Sequence, residues 1–208
     1  MVETLMTPSK ILIGIPGTDH WLADFCVAFT GMTMRTGAAG IQHNVLNVRS
    51  TNWLQNRHRL ARHAQNGGYT HLMFLDHDMT FPTDALIRLL GHDRDIVGAV
   101  YPKRAPPHTI VGEPLGAWQF AGLTEMDFIG FGVSLLKVEA FADLSSPLFT
   151  IDWNPDTDEW SSEDAPFCRR VRAAGRSVWA DMDLSREVTH IGQEHYVMQI
   201  PAPLTEAA

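Results

Sequence analysis

At 208 residues, with 45% apolar and 19% charged side chains, the chain has the composition of one globular domain, which excludes extensive disorder and leaves little room for a second domain. A formal charge of −8 gives no electrostatic footprint for polyanions, which lowers nucleic-acid binding as a function without excluding it. No apolar stretch nears the roughly 20 residues needed to cross a bilayer, and Met1 to Lys10 lacks a signal-peptide core, so a cytoplasmic protein with no membrane span is expected.

Ile11-Leu12-Ile13-Gly14-Ile15-Pro16 is a β-branched run that reads as a buried first strand, stopped by Pro16 and Gly17. A helix follows from about Trp21 to Gly37, with Asp19 available as its cap. Ile41 to Val48 reads as the second strand, Ser50 to Gln65 as the second helix closed by Gly67-Gly68, and Tyr69 to Asp76 as the third strand. Pro82 to Leu90 is the third predicted helix and Asp95 to Tyr101 the fourth strand. Strands alternating with helices of this length imply crossovers, an α/β fold and a mainly parallel sheet, with ligands at the carboxyl ends of its strands. Beyond Pro102 to Pro114 the pattern loosens into strand-like pieces at Ala117 to Phe120, Met126 to Phe128 and Val133 to Val138, then a late helix from Ser162 to Ala174 ended by Gly175. Residues 1–200 form one predicted domain, and 201–208 a loosely held tail. Cys26 and Cys168 fall in helical segments without metal-ligand spacing and are expected to be reduced core residues.

The third strand ends in Asp76-His77-Asp78. Carboxylates one residue apart at a strand end point roughly the same way and can converge on one divalent cation, which bridges to phosphate oxygens. Equally, Asp78 or Thr80 can simply cap the next helix. A second acidic pair, Glu163-Asp164, opens the late helix after Ser161-Ser162. A serine cap with acids in the first turn accounts for it. Yet the apolar face of Phe167, Cys168, Val171 and Ala174 puts Asp164 on the inward side, where a semi-buried carboxylate can act as a general base. Arg57 lies on the inward stripe of Trp53, Leu60 and Ala64, and a cation there needs an anion or acidic partners.

Taken in order, Ile11 to Pro16, Asp76-His77-Asp78 after Leu72 to Leu75, Phe128-Ile129-Gly130-Phe131-Gly132, and Ser162-Glu163-Asp164 followed by Trp179 to His190 resemble the GT-A glycosyltransferases, in particular small family 2-like enzymes of bacteria and phages. The similarity spans roughly residues 10 to 195. It implies a three-layer α/β/α sandwich that binds a nucleotide-diphosphate sugar, with a UDP-sugar ranked first, and Mn²⁺ or Mg²⁺ at a DxD motif. By that resemblance Asp76 lies near the ribose or the metal, Asp78 is a direct metal ligand, and His190 completes the metal site with His195 as a weaker rival. Asp164 is the base and Glu163 orients it or the acceptor. Pro16, Thr18 and Asp19 contact the nucleotide base, while Asn56 and Arg57 form an element that contacts the nucleotide. His77 departs from the usual small or polar middle residue, where it can ligate metal or point away. The short second half leaves the acceptor site open or completed by a second subunit of a homo-oligomer.

The expected activity is inverting transfer of a sugar to a hydroxyl acceptor: a saccharide, a lipid-linked glycan, a protein or a modified DNA base. A nucleotidyltransferase acting on a sugar phosphate is the alternative. It shares the sheet and the metal carboxylates but usually carries a glycine-rich basic loop after the first strand, where this chain has Pro16-Gly17-Thr18-Asp19-His20.

Overall fold

Alternating strand and helix signals build, in the computed structural model, one mixed sheet held between two helical layers. The structure describes residues 9–104, 106–192 and 195–198, so the predicted tail at 201–208 lies outside the described residues, as does the side chain of His195. The first half comprises β1 (Lys10–Gly17), α1 (Ala23–Ala38), β2 (Gln42–Arg49), α2 (Trp53–Asn66), β3 (His71–Leu75), β4 (Met79–Thr80), α3 (Ala85–Gly91) and β5 (Ile96–Gly98). The second half adds β6 (Gly112–Pro114), β7 (Leu123–Ile129), β8 (Val133–Lys137), β9 (Trp153–Asn154), β10 (Glu159–Trp160) and α4 (Asp164–Ala173). It closes with β11 (Val178–Asp181), α5 (Met182–Ser185), β12 (Thr189–Ile191) and β13 (His195–Val197).

The large sheet runs β2-β1-β3-β8-β5-β11-β7-β6. Its pairings make β2, β1, β3, β5, β11 and β6 point one way, while β8 and β7 run against them. The sheet is therefore mainly parallel in direction, as the alternating pattern predicts. The continuous apolar run of β1 has the expected cause, since both faces are covered. Ile11, Ile13 and Ile15 pack with Phe25 and Met32 of α1 and Leu86 and Leu89 of α3. Leu12 turns to the other face, with Leu60 and Ala64 of α2 and Phe167 and Val171 of α4.

Several local expectations need correction. Asp19 does not cap α1: its carboxylate pairs with Arg49 at 2.9 Å, and the residue before the helix, Leu22, makes no side-chain cap. Pro82 sits in a turn ahead of α3, its carbonyl accepting from the Ala85 amide. The run Ala117 to Phe120 is irregular instead of a strand.

Candidate active site

The end of β3 and the first turns of α2 and α4 meet at one edge of the sheet. β3 stops after Leu75, and Asp76 is fixed by its amide donating to the Gly132 carbonyl at 2.9 Å. Neither serine nor acid caps α4 through its side chain, so Glu163 and Asp164 remain free to face inward, 7% and 6% exposed. Arg57, one turn into α2, is what they face.

The Arg57 guanidinium is the hub. Its Nε donates to Glu163 Oε1 at 2.7 Å, and one Nη2 donates to both carboxylate oxygens of Asp76 at 3.1 Å. Asp164 Oδ1 lies 3.9 Å from Nε. Trp53 Nε1 donates to the second Glu163 oxygen at 3.1 Å, and the guanidinium carbon lies 5.2 Å from the centre of the Phe74 ring. The inward-facing arginine, whose place on the stripe called for an anion or an acidic partner, thus has acidic partners. Burial works against its charge, yet Asp76, Asp164 and Glu163 together hold its pKa above the ordinary value.

One cation is shared among three carboxylates, and Asp164 gets the least of it. Burial, then the neighbouring Glu163, push its pKa well above the usual carboxylate range, against the pull of Arg57 and a backbone hydrogen bond at Phe131. Its Oδ1 is a buried oxygen with no hydrogen-bond partner among the described residues. A carboxylate in that state binds a proton more tightly than an exposed one. Asp76 is raised as well, by burial first and by Asp78 and Glu163 next, with Arg57 opposing.

Asp78 has a separate set of partners. The short pairing of β4 with β12 brings His190 alongside it, with Nε2 3.5 Å from Asp78 Oδ2. His190 Nδ1 is 2.9 Å from the Pro102 carbonyl, which orients the ring and turns Nε2 toward the carboxylate. Arg104 reaches the same Oδ2 at 3.0 Å. Burial works to raise Asp78, but His190, Arg104 and His77 outweigh it and hold its pKa below the ordinary value. The Tyr101 ring packs edge-on against His190 at 5.2 Å.

The expected trio of Asp76, Asp78 and His190 does not converge. Among the described residues no group of three or more His, Cys, Asp or Glu side chains comes together around a metal position. The reason is charge, since Asp76 is turned onto Arg57 and leaves Asp78 and His190 as a pair. The remaining expected residues lie around the carboxyl end of β1. Pro16 is buried in the ladder, while Thr18 and Asp19 are exposed. Thr18 Oγ1 engages His20, and His77 Nδ1 sits 3.5 Å from where a β-carbon on Gly17 would stand. Asn56 is buried with both polar atoms engaged by Ser50, Oδ1 accepting at 2.6 Å and Nδ2 donating to the carbonyl at 3.1 Å. It ties the turn between β2 and α2. Sequence reasoning missed Tyr101 and Arg104. The signal was Tyr101-Pro102-Lys103-Arg104, an aromatic at the end of a predicted strand and a basic pair just past it.

Neither a protein-family model nor a curated protein sequence matches the chain. Solved structures do resemble it. A197 from STIV superposes with a TM-score of 0.59 at 13% identity, covering 96% of this chain and 98% of that one. A Drosophila β-1,4-galactosyltransferase 7 mutant, in complex with manganese, UDP-Gal and xylobiose, gives 0.54 at 18% identity, covering 88% and 71%. Apo UDP-glucose pyrophosphorylase gives 0.51 at 10% identity, covering 84% and 90%. At these identities the likeness is one of fold: a mixed α/β architecture with a large, mainly parallel central sheet, like that of GT-A nucleotide-sugar transferases.

Proposed function

We propose that this chain is a glycosyltransferase that moves a sugar from a nucleotide-diphosphate sugar to a hydroxyl acceptor, with Asp164 as the general base of an inverting reaction. The observation that carries the reading is the buried Arg57 hub, which holds Asp76 and Glu163 firmly and leaves Asp164 short of a partner at the sheet's ligand edge. A carboxylate whose proton affinity is raised by burial accepts a hydroxyl proton more readily than an exposed one. Glu163, fixed by Arg57 and Trp53, raises that affinity and holds the turn on which Asp164 stands.

A divalent cation fits the Asp78 and His190 pair: one carboxylate oxygen and one imidazole nitrogen, the ring already oriented by the Pro102 carbonyl, is a donor set that Mn²⁺ accepts. Bound there, Mn²⁺ or Mg²⁺ would neutralise charge on the leaving diphosphate. Arg104 supplies a positive charge at the same oxygen. Thr18, Asp19 and His77, around the end of β1, would face the nucleoside, with a UDP-sugar the first donor to try.

The decisive experiment incubates the protein with Mn²⁺ and a panel of nucleotide sugars and identifies the product released. Nucleoside diphosphate supports sugar transfer; pyrophosphate from a nucleoside triphosphate and a sugar phosphate would support the second reading, nucleotidyl transfer. The fold shared with UDP-glucose pyrophosphorylase keeps that reading open. It ranks lower because the loop after β1 has one glycine and its Asp19 faces Arg49. Asp164→Asn should cut transfer by about 10²–10⁴-fold while leaving donor binding in place.

A further inference from the structure

The hairpin of β9 and β10 exposes two indoles. Trp153 and Trp160 stand opposite each other in the ladder, so both side chains share one face, with ring centres 5.2 Å apart at 65°. They are 45% and 62% exposed. The hairpin is locked at its base, where the Asp152 amide donates to Ser161 Oγ at 2.8 Å and the Ser161 amide donates to the Asp152 carbonyl at 2.7 Å. Three residues beyond Ser161 is Asp164, so Trp160 lies within about 14 Å of the proposed base along the chain. Trp53, also exposed, approaches the acids from α2 by its bond to Glu163. The two rings brace each other across the hairpin, and their outer faces, left open to solvent, form an aromatic platform.

Charge and ring chemistry together narrow the occupant. Residues 151–162 contain Asp152, Asp156, Asp158 and Glu159 and no basic residue, and all four acids are exposed. A phosphate backbone is repelled from such a surface. An uncharged sugar ring is not, and it can lay its C–H face on an indole while its hydroxyls bond to the flanking carboxylates. We infer that the β9–β10 hairpin is the acceptor platform of the enzyme proposed above and that the acceptor is a neutral saccharide. This narrows the acceptor class and rests on the glycosyltransferase reading.

The test is a fluorescence titration of the full chain with maltotriose, cellotriose and mannotriose, beside a single-stranded oligonucleotide and a lysine-rich peptide. At least one trisaccharide should bind saturably. Trp160→Ala and Trp153→Ala should each weaken that binding about tenfold or more, and Trp160→Tyr, which keeps a ring face, should recover most of it. In turnover with that saccharide, the same variants should raise the acceptor's KM and leave the donor's KM in place. Saccharide binding that ignores both tryptophans overturns the inference. So does no saccharide binding, or tryptophan-dependent binding of the oligonucleotide or the peptide alone. The titration needs no turnover, so its outcome is separable from a failure to release nucleoside diphosphate, which would strike at the enzymatic reading instead.

Discussion

Arg57 neutralises parts of Asp76, Glu163 and Asp164 at once, so its loss leaves several buried charges uncompensated. Arg57→Ala should therefore destabilise by about 3–5 kcal/mol, read from the urea midpoint, and Arg57→Lys should recover only part because an ammonium cannot span Glu163 and Asp76 as a planar fork does. Asp164 should behave in the opposite sense. Its folded pKa is raised, so the folded chain keeps a proton that the unfolded chain releases. The stability tied to that proton is complete below the unfolded value and lost as pH rises through the folded one. Asp164→Asn should thus raise the urea midpoint at neutral pH and flatten its decline above the ordinary carboxylate range, even as transfer collapses. A lower midpoint at neutral pH would count against a strained acid. Asp78 is held low, so its contribution is present above the unfolded value and disappears as pH falls through the folded one.

Among the elements, the segment from Gly130 to Val133 decides how the site is assembled. A β-carbon on Gly132 would lie 2.6 Å from the Tyr101 hydroxyl and 2.8 Å from its ring, and that buried hydroxyl accepts the Gly132 amide at 2.9 Å. Gly132→Ala must displace the Tyr101 ring, which packs edge-on against His190. We expect a loss of about 1–3 kcal/mol in stability together with weaker Mn²⁺ binding by calorimetry. Gly98 is a control in the same sheet, because a β-carbon there would meet the Val133 carbonyl at 2.6 Å, between β5 and β8. Gly98→Ala should destabilise by a similar amount while leaving the affinity for Mn²⁺ nearer that of the unaltered chain.

At the scale of the whole molecule, the sheet supplies a rigid floor and the site is built on its carboxyl edge by β4, β12 and the start of α4. Ligands that bind only this assembled edge stabilise the fold by mass action, about 2.7 kcal/mol at a hundredfold excess over Kd. Mn²⁺ with a UDP-sugar should accordingly raise the Tm. Asp78→Ala and His190→Ala should remove the manganese-dependent part, whereas a shift that survives both variants would place the cation elsewhere. Among the described residues no helix is long and apolar enough to cross a membrane.

Periodicity and run length made the first half legible, because β1, β3, α2 and their turns carry local signals strong enough to survive tertiary packing. Arg57 could be assigned an anion or an acidic partner from its stripe alone, since a buried guanidinium cannot stand unpaired. Which acids those were was decided by the fold, which brings residue 57 against residue 163, more than a hundred positions away. The same holds for Asp78 and His190, joined by a two-residue strand that no propensity announces. It holds too for Asp76, whose neighbour in sequence suggested a shared cation and whose neighbour in space is an arginine. Local spacing sets where a side chain can point. Only the folded arrangement of opposing charges settles what it faces.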